Sequence, residues 1–457
     1  MTSAHLTERT SAARPGHAIP SRRRTEQAGF DLPAWPVAGL LLLYPLWWAL
    51  GLGVLIFPIL AVPMVVLLIR GAARGRPVRM PPGFAWWLLF LTVVVVSIGA
   101  LGADPAGTVP ERAGARIVGV AFRLAQYASL TVLLVYAGNL TERELPRRRL
   151  VGLLGWLFVV TVAGGLLGVF AGHFAFTSPV EMVLPAGVRN KGFVQSMVHP
   201  YAAQIMDVVG ESRPRPAAPW GYTNTWGNNF CLLVGFFVVS SAKHRLLAVL
   251  CLLVALVPVV ESLNRGLWIG LGVSVLYVAL RSGRIALLLG VLAAGALLVL
   301  VVLVSPLGGT VTARLDNGKS DGVRSFLVGR ALDGVVHSPV IGYGSTRTTI
   351  GGRNSIAVGE SSGCERCGNF TVGGNGQLWQ LLYAHGLTGT IAYFGFFVHG
   401  LWRFRRDRSP TGLAASCAIV ASFVATLWYN ALVTPLAFLF LAYALLWRNQ
   451  SSEGDPT

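Results

Sequence analysis

The sequence predicts an all-α polytopic membrane protein with about twelve transmembrane helices. Of the 457 residues, 54% are hydrophobic and 12% are charged, and the mean hydropathy of +0.62 is too high for a soluble globular protein. Apolar runs close to the roughly 20 residues that span a bilayer recur from about residue 37 to about residue 447. Short basic runs separate them. The net charge of +18 is therefore a topology signal and does not predict nucleic-acid binding.

The N-terminal segment 1–33 is polar and rich in Ser, Thr and Arg, which predicts a disordered cytoplasmic tail. The membrane domain is expected to occupy 34–447, with a second cytoplasmic tail at 448–457. The first two and the last two helices are expected to form tight hairpins. The twelve expected helices lie at about 37–50, 52–69, 84–101, 115–137, 151–171, 226–242, 246–261, 266–281, 285–304, 376–400, 411–430 and 431–447.

Every second connection between these helices is rich in Lys and Arg, as expected of cytoplasmic connections. Both termini are therefore expected in the cytoplasm. Two outward connections are long, at about 172–225 and 305–375, and the second contains an amphipathic helix at about 321–337. The basic connections carry Arg70, Arg74, Arg76 and Arg79, then Arg143, Arg147, Arg148 and Arg149, then Lys243 and Arg245, then Arg281 and Arg284, then Arg403, Arg405, Arg406 and Arg408.

Cysteine usage predicts no metal site, and no cofactor is expected. Cys364 and Cys367 form a CxxC pair in the second outer loop, where a local disulfide is the favoured interpretation. A structural zinc site needs about four ligands, and no second Cys or His pair is nearby. The expected partners include membrane lipids.

Charges inside the apolar sequence indicate an outward-facing cationic pocket. The run 246–280 is too long for one span, so it must bend near 261–265, which places Glu261 and Arg265 at the outer mouth. Arg123 lies about 12 Å into the fourth helix and needs a cavity or a partner there. Guanidinium groups suit phosphate oxygens. The alternative is that Arg265 is an interfacial residue paired with Glu261.

Most other cations of the outer loops, a group that includes Arg347, are expected to be solvated. The segment 220–229 adds an aromatic and amide cluster that suits sugar binding. An interfacial aromatic belt with helix-capping Asn residues is an equally weighted alternative. The cluster consists of Trp220, Tyr222, Asn224, Trp226, Asn228 and Asn229.

Four ordered segments resemble the O-antigen ligase and polymerase superfamily. They are RPAAPWGYTNTWGNN (215–229), SLNRGLWIGL (262–271), the element from Arg324 through SPVIGYG (338–344), and NGQLWQLLYAHGLTG (375–389). Their order and spacing agree with that family over most of the chain after about residue 35. The YTNTWGNN form is similar to the actinobacterial branch.

This resemblance implies a metal-independent glycosyltransferase at the outer face of the cytoplasmic membrane, acting in cell-surface polysaccharide biosynthesis. Its donor would be a polyprenyl-pyrophosphate-linked glycan, and its acceptor a glycan, lipid or protein. Arg265 and Arg215 are the expected pyrophosphate ligands, with Glu261 as a candidate base. The expected substrate-binding residues are Arg213, Arg324, Arg123, Tyr222, Asn224, Trp226, Asn228, Asn375 and Gln377.

The sequence departs from the family pattern at the position of the proposed catalytic base. Ligases of the family carry a His-Asn pair at the position that falls on Asn375 and Gly376 here, and Asn cannot act as a base. His385 lies about 15 Å further into the helix and is expected to be a core residue. Asp321 and Glu360 join Glu261 as open alternatives for the base.

The acceptor also stays open, since a polymerase or a protein oligosaccharyl ligase would have the same fold. A lipid-linked oligosaccharide flippase or other transporter is the alternative from another class. Such a protein should carry ionisable residues near the bilayer midplane and broken helices in repeated halves.

Overall fold

The computed structural model describes residues 30–207, 212–283, 285–286, 288–290, 293, 319–349 and 370–453. Across these ranges the chain is mostly helical and forms 17 helices, one of them a short 3-10 helix. The same ranges contain one two-stranded antiparallel sheet, in which Gln204 pairs with Arg215. The all-α expectation therefore holds apart from this hairpin, which lies in the first long loop.

The first half of the described chain alternates long helices with short loop elements. Its elements are α1 (Trp35–Leu42), α2 (Tyr44–Ala49), α3 (Ile56–Ala73), α4 (Phe84–Val96), the 3-10 helix (Ser97–Ala100), α5 (Ala113–Asn139), α6 (Arg147–Phe170), α7 (Pro179–Val183), α8 (Ala186–Arg189), α9 (Gly192–Val198), β1 (Ala203–Asp207) and β2 (Ser212–Pro216).

The second half consists of helices. They are α10 (Thr223–Ser240), α11 (Arg245–Glu261), α12 (Arg265–Ser282), α13 (Lys319–His337), α14 (Gln377–Arg403), α15 (Pro410–Ala425) and α16 (Thr434–Glu453).

Four helices, α3, α5, α6 and α14, are long and apolar enough to cross a membrane. Helix α11 is shorter but exposes large apolar side chains, among them Leu246, Leu250 and Leu253. Soluble monomers rarely expose apolar patches of this kind over a large area. Apolar helices of the length that a bilayer requires are therefore present in the fold.

Helices occupy the positions of eleven expected spans. The remaining one, the ninth in chain order at 285–304, lies mostly outside the described residues. Three boundaries were wrong. The first expected helix is divided into α1 and α2, with Pro45 in the first turn of α2. The expected helix 411–430 ends at Ala425, and an eight-residue turn follows. Helix α16 then continues to Glu453, so the expected tail at 448–457 begins later.

Helix α10 lies at the centre of the bundle and packs against α6, α12, α15 and α16. Small residues on α6 permit the closest of these approaches. A Cβ at Gly165 would lie 2.6 Å from the Trp226 ring, and a Cβ at Gly155 would lie 3.3 Å from Phe237 Cα in the backbone of α10. The first turn of α10 is held in place by this packing.

The connections divide between two ends of the bundle. The basic end comprises the connections 74–83, 140–146 and 404–409, and there Arg448 Nη2 lies 3.0 Å from Glu142 Oε1. The loop end comprises the segments 171–222, 262–264, 338–349 and 426–433. The residues expected to bind substrate lie mainly at the loop end.

Candidate functional site

Three helix N-termini meet around Asn264 at the loop end. Asn264 caps α12, because its Oδ1 accepts a hydrogen bond from Leu267 N at 3.3 Å. Its Nδ2 donates to Thr223 O at 3.3 Å, at the start of α10. Tyr429 donates its hydroxyl to Asn264 Oδ1 and accepts Gln377 N at 2.9 Å through its own carbonyl, which adds α14. Helix N-termini carry partial positive charge, so their convergence favours an anion.

Glycines allow these termini to come so close. A Cβ at Gly227 would lie 2.5 Å from Asn264 Nδ2. A Cβ at Gly376 would lie 2.6 Å from Thr426 O and 2.8 Å from Leu427 O. The glycine at 376 therefore packs against the backbone of the 426–433 turn, where a side chain would not fit.

Arg215 reaches this junction from the β-hairpin. It is buried on β2, and its Nε donates to Ser262 O at 2.7 Å in the turn before α12. Arg213, two residues earlier on the same face of the strand, is exposed. Of the two arginines, Arg215 is therefore the one placed at the Asn264 junction.

A second guanidinium group, that of Arg324, lies near the junction and acts on the pKa of Tyr429. Burial raises the pKa of Tyr429, and the charges of Arg324 and Arg215 oppose that rise. Both guanidinium groups therefore lie within electrostatic reach of its hydroxyl. Arg265 begins α12 directly after the cap residue Asn264 and is partly buried.

Arg123 extends this layer towards α5. Its Nη2 donates to Thr346 Oγ1 at 3.2 Å, and it interacts electrostatically with Tyr127. Tyr127 in turn neighbours Gln377 at the start of α14. The cavity or partner that the depth of Arg123 requires is thus a polar layer shared with the Asn264 junction.

Buried side-chain amides with unused hydrogen-bonding atoms lie in the same layer. Gln377 is 1% exposed, its Oε1 accepts Ala431 N at 2.9 Å, and its side-chain amide also contacts the Tyr127 hydroxyl. The Oδ1 atoms of Asn228, Asn375 and Asn430 are buried without a partner among the described residues. Buried amides are normally satisfied, so these three oxygens are available to a polar ligand or to water.

A cavity of about 210 Å³ lies beside the first turn of α10. Tyr222 and Thr225 line one side, and Trp48 and Thr434 line the other. Thr434 also accepts a hydrogen bond from Asn229 Nδ2 at 2.8 Å, which connects the cavity wall to the amides.

Trp226 and Glu261 lie differently from what a sugar contact and the alternative ion pair would require. Trp226 is fully buried one helical turn into the bundle, and its indole donates to Thr161 O at 2.8 Å, so it offers no ring face to a sugar. Glu261 is exposed at the end of α11 and makes no salt bridge to any described residue, so the Glu261–Arg265 pair is not formed. Tyr222 and Asn224 are exposed, as sugar contacts require.

His385 is a core residue, as expected. It is 4% exposed, its Nδ1 lies 3.0 Å from Ser97 Oγ, and its ring meets the edge of Phe90. Asp321 lies within α13, and Cys364, Cys367 and Glu360 lie outside the described residues.

Helix α14 is interrupted directly after His385. Gly386 has φ +63° and ψ −167°, which is not helical, and the segment 338–344 fills the break. Three backbone hydrogen bonds join them: Tyr343 N to Tyr383 O at 3.1 Å, Gly344 N to Ala384 O at 2.7 Å, and Leu387 N to Pro339 O at 2.7 Å.

The sequence did not reveal two further arrangements. Arg347 is 2% exposed and donates only to backbone carbonyls, including Tyr343 O at 3.0 Å and Ala103 O at 3.2 Å, so it is not a solvated cation. His199 pairs with Glu181 in the first long loop. Neither arrangement has a spacing signal, although the cap at Asn264 could have been predicted from its position before α12.

No protein-family model and no curated protein matches the chain. The function is therefore argued from the arrangement of its own residues.

Proposed function

We propose that the protein is a glycosyltransferase of the O-antigen ligase and polymerase type, which transfers glycan from a polyprenyl-pyrophosphate-linked donor. The observation that carries the proposal is the convergence of three helix N-termini at Asn264 with the guanidinium groups of Arg215 and Arg324. Charged donors and helix dipoles from separate segments together suit a doubly charged phosphate group.

The proposed topology has twelve spans, both termini in the cytoplasm, and the loop end outside the cytoplasmic membrane. The basic end supports this orientation, since it collects the connections that contain Arg76, Arg79, Arg143 and Arg405. The site then faces the side on which lipid-linked glycans are assembled into the envelope.

In the proposed reaction an acceptor hydroxyl attacks the anomeric carbon of the donor, and the lipid pyrophosphate leaves. Negative charge grows on the leaving group in the transition state, so preorganised cations lower the barrier there. Arg215 and Arg265 hold the pyrophosphate, and Arg324, Arg123 and Arg213 surround it. This role requires no metal.

The sugar is bound by groups beside this anion site. Hydroxyls of the glycan donate to the amide oxygens of Asn228 and Asn375, which have no partner among the described residues, and the glycan also contacts Gln377, whose amide is oriented by Tyr127. Tyr222 and Asn224 supply an exposed ring and an exposed amide at the rim. Ligase, polymerase and protein oligosaccharyl ligase differ only in the acceptor, and the proposal covers all three.

A flippase is the second candidate, because the break in α14 at Gly386 is of the kind that transporters use. In transporters the broken ends serve the substrate or a coupling ion. Here the segment 338–344 already occupies the backbone groups of Tyr383, Ala384 and Leu387. Transfer is therefore the favoured proposal.

The test is deletion of the gene in its host, followed by profiling of surface glycans and lipid-linked intermediates. Transfer predicts loss of a surface glycan and accumulation of its lipid-linked precursor on the outer face. Accumulation on the inner face would instead support the flippase. Complementation of the deletion strain with Arg265→Lys and Arg265→Ala then tests the site. Arg79→Lys, at an exposed arginine of the basic end, is the matched control. Full activity of both Arg265 variants would show that Arg265 is not part of the site.

A further inference from the structure

A histidine and a carboxylate form a pair in the first long loop. His199 follows α9, and its Nδ1 lies 2.8 Å from Glu181 Oε2 in α7. The Glu181 side chain is 6% exposed and that of His199 is 33% exposed. Ser178 fixes both ends of the pair, since its Oγ accepts Glu181 N at 3.1 Å and donates to Val198 O at 2.6 Å. The geometry of the pair is thus set by the backbone on either side.

The imidazole of His199 lines the 210 Å³ cavity beside α10. Because Nδ1 is engaged by Glu181, Nε2 is the ring nitrogen left for a group in the cavity, and it makes no hydrogen bond to a described residue. Tyr201 also lines the cavity, but burial raises its pKa and its hydroxyl donates to Gly221 O. A neutral phenol is a far weaker base than an imidazole, so of the two only the histidine can accept a proton from a group in the cavity.

The walls of the cavity suit a carbohydrate. Trp48, Trp220 and Tyr222 contribute aromatic surfaces, and Thr225 and Thr434 contribute hydroxyls. Its volume of about 210 Å³ is below the roughly 300–1,000 Å³ of typical small-molecule pockets, which suits a single sugar residue.

The cavity and the anion site share the first turn of α10. Thr223 O accepts Asn264 Nδ2 on one side, while Tyr222 and Thr225 line the cavity on the other. An acceptor sugar in the cavity and a pyrophosphate near Arg215 would therefore both lie next to the first turn of α10.

We infer that His199 is the general base that deprotonates the acceptor sugar hydroxyl, and that Glu181 positions its imidazole. The inference rests on the proposed function and supplies the base that Asn375 cannot provide. The hydroxyl proton moves to Nε2 while the acceptor oxygen forms its bond to the anomeric carbon. The bond from that carbon to the pyrophosphate oxygen breaks, and its electron pair leaves with the lipid pyrophosphate. Glu181 stabilises the imidazolium that results.

The test uses membranes of the deletion host that contain the full-length wild type or a variant, with the lipid-linked glycan extracted from that host as donor. We expect His199→Ala and His199→Gln to lower kcat by about 100-fold or more, with the KM for donor nearly unchanged. Glu181→Gln should cause a smaller loss. Exposed His173 lies in the same loop, and His173→Ala is the matched control, with wild-type rate.

Added imidazole should restore part of the rate of His199→Ala, which shows that the variant is folded and lacks only the base. Full activity of both His199 variants beside an active wild type would overturn this inference and leave the proposed function standing. Loss of rate through a higher KM alone would assign His199 to binding and overturn its role as base. Absence of transfer by the wild type would overturn the proposed function, and the inference with it.

Discussion

The two ends of the bundle hold some of their arginines in different ways, although Arg116, which shares the Leu101 carbonyl with Arg347, pairs with Asp104. At the basic end Arg76 pairs with the carboxylate of Glu144. At the loop end Arg347 donates to backbone carbonyls, and Arg123 donates to the Thr346 hydroxyl at 3.2 Å. A carboxylate fixes a guanidinium and cancels its charge, whereas a neutral oxygen fixes it and leaves the charge in place. The first arrangement neutralises the guanidinium, and the second leaves the charge of Arg123 in the polar layer where the proposed site lies.

The largest expected effect lies at the basic end. Glu144→Gln should reduce the free energy of unfolding by about 3 kcal/mol, because it leaves the mostly buried Arg76 without its counter-charge. Thermal unfolding in detergent measures this loss. The transfer rate per folded molecule should not change, and a lower rate at equal stability would break the comparison.

The same carboxylate gives a pH dependence. Burial alone would raise the pKa of Glu144, but hydrogen bonds from Arg76, Thr141 and Leu32 outweigh it and hold the pKa below its usual value. Its contribution to stability is therefore complete above the unfolded pKa of about 4.3 and is lost as pH falls through the lower folded pKa. Wild type and Glu144→Gln should differ equally at neutral and weakly acidic pH, and converge only in stronger acid. A difference that grows on acidification would contradict this sign.

At the loop end, Arg215→Lys should reduce the rate of glycan transfer by about 100-fold, which corresponds to about 2.7 kcal/mol in the activation free energy. The lysine ammonium keeps the positive charge but lacks the planar pair of N–H donors that a guanidinium offers to phosphate. The donor-dependent rate in membranes measures this reduction. The substitution also removes the bond from Nε to Ser262 O, so thermal unfolding must be measured in parallel. Arg79→Lys at the basic end is the control. Equal rates for all three proteins would remove Arg215 from the site.

Gly376→Ala tests the close approach of α14 to the 426–433 turn. The new Cβ would lie 2.6 Å from Thr426 O, and backbone cannot rotate away, so we expect a loss of about 1–3 kcal/mol in stability. Transfer should fall as well, since the N-terminus of α14 is displaced. Gly119→Ala in α5, where a Cβ meets nothing within 4 Å, should be neutral or slightly stabilising. Similar behaviour of the two variants would exclude crowding as the cause.

The smallest effects are expected when two helix caps are removed, one at each end of the bundle. Asn264→Ala removes the cap of α12, and Ser409→Ala removes that of α15, where Ser409 Oγ accepts Gly412 N at 3.0 Å. Loss of the cap should cost about 1 kcal/mol of stability in each variant, and Asn264→Ala should cost more because it also removes the bonds to Thr223 O and Tyr429. Only the first should also lower transfer, because Asn264 joins three helices. An equal loss of transfer rate in Asn264→Ala and Ser409→Ala would show that the two ends do not differ in function.

Local patterns in the sequence predicted much of the helical framework. The bend at 261–265 followed from the length of one apolar run, and α11 and α12 end and begin there. Long-range pairings were not predictable, since Tyr429 lies 165 positions from Asn264 and Glu181 lies 18 from His199. The sequence could not reveal that Trp226 is buried, because an aromatic residue near the start of a helix gives the same pattern whether its ring faces a cavity or the core.

The break at Gly386 has a consequence for the order of assembly. Without the segment 338–344, Tyr383 O, Ala384 O and Leu387 N would be unpaired inside an apolar bundle, at a cost of several kcal/mol each. The part of α14 around Gly386 therefore reaches its final geometry only after the segment 338–344 has folded against it. During biosynthesis, the loop acts as a template for a helix that follows it in the chain.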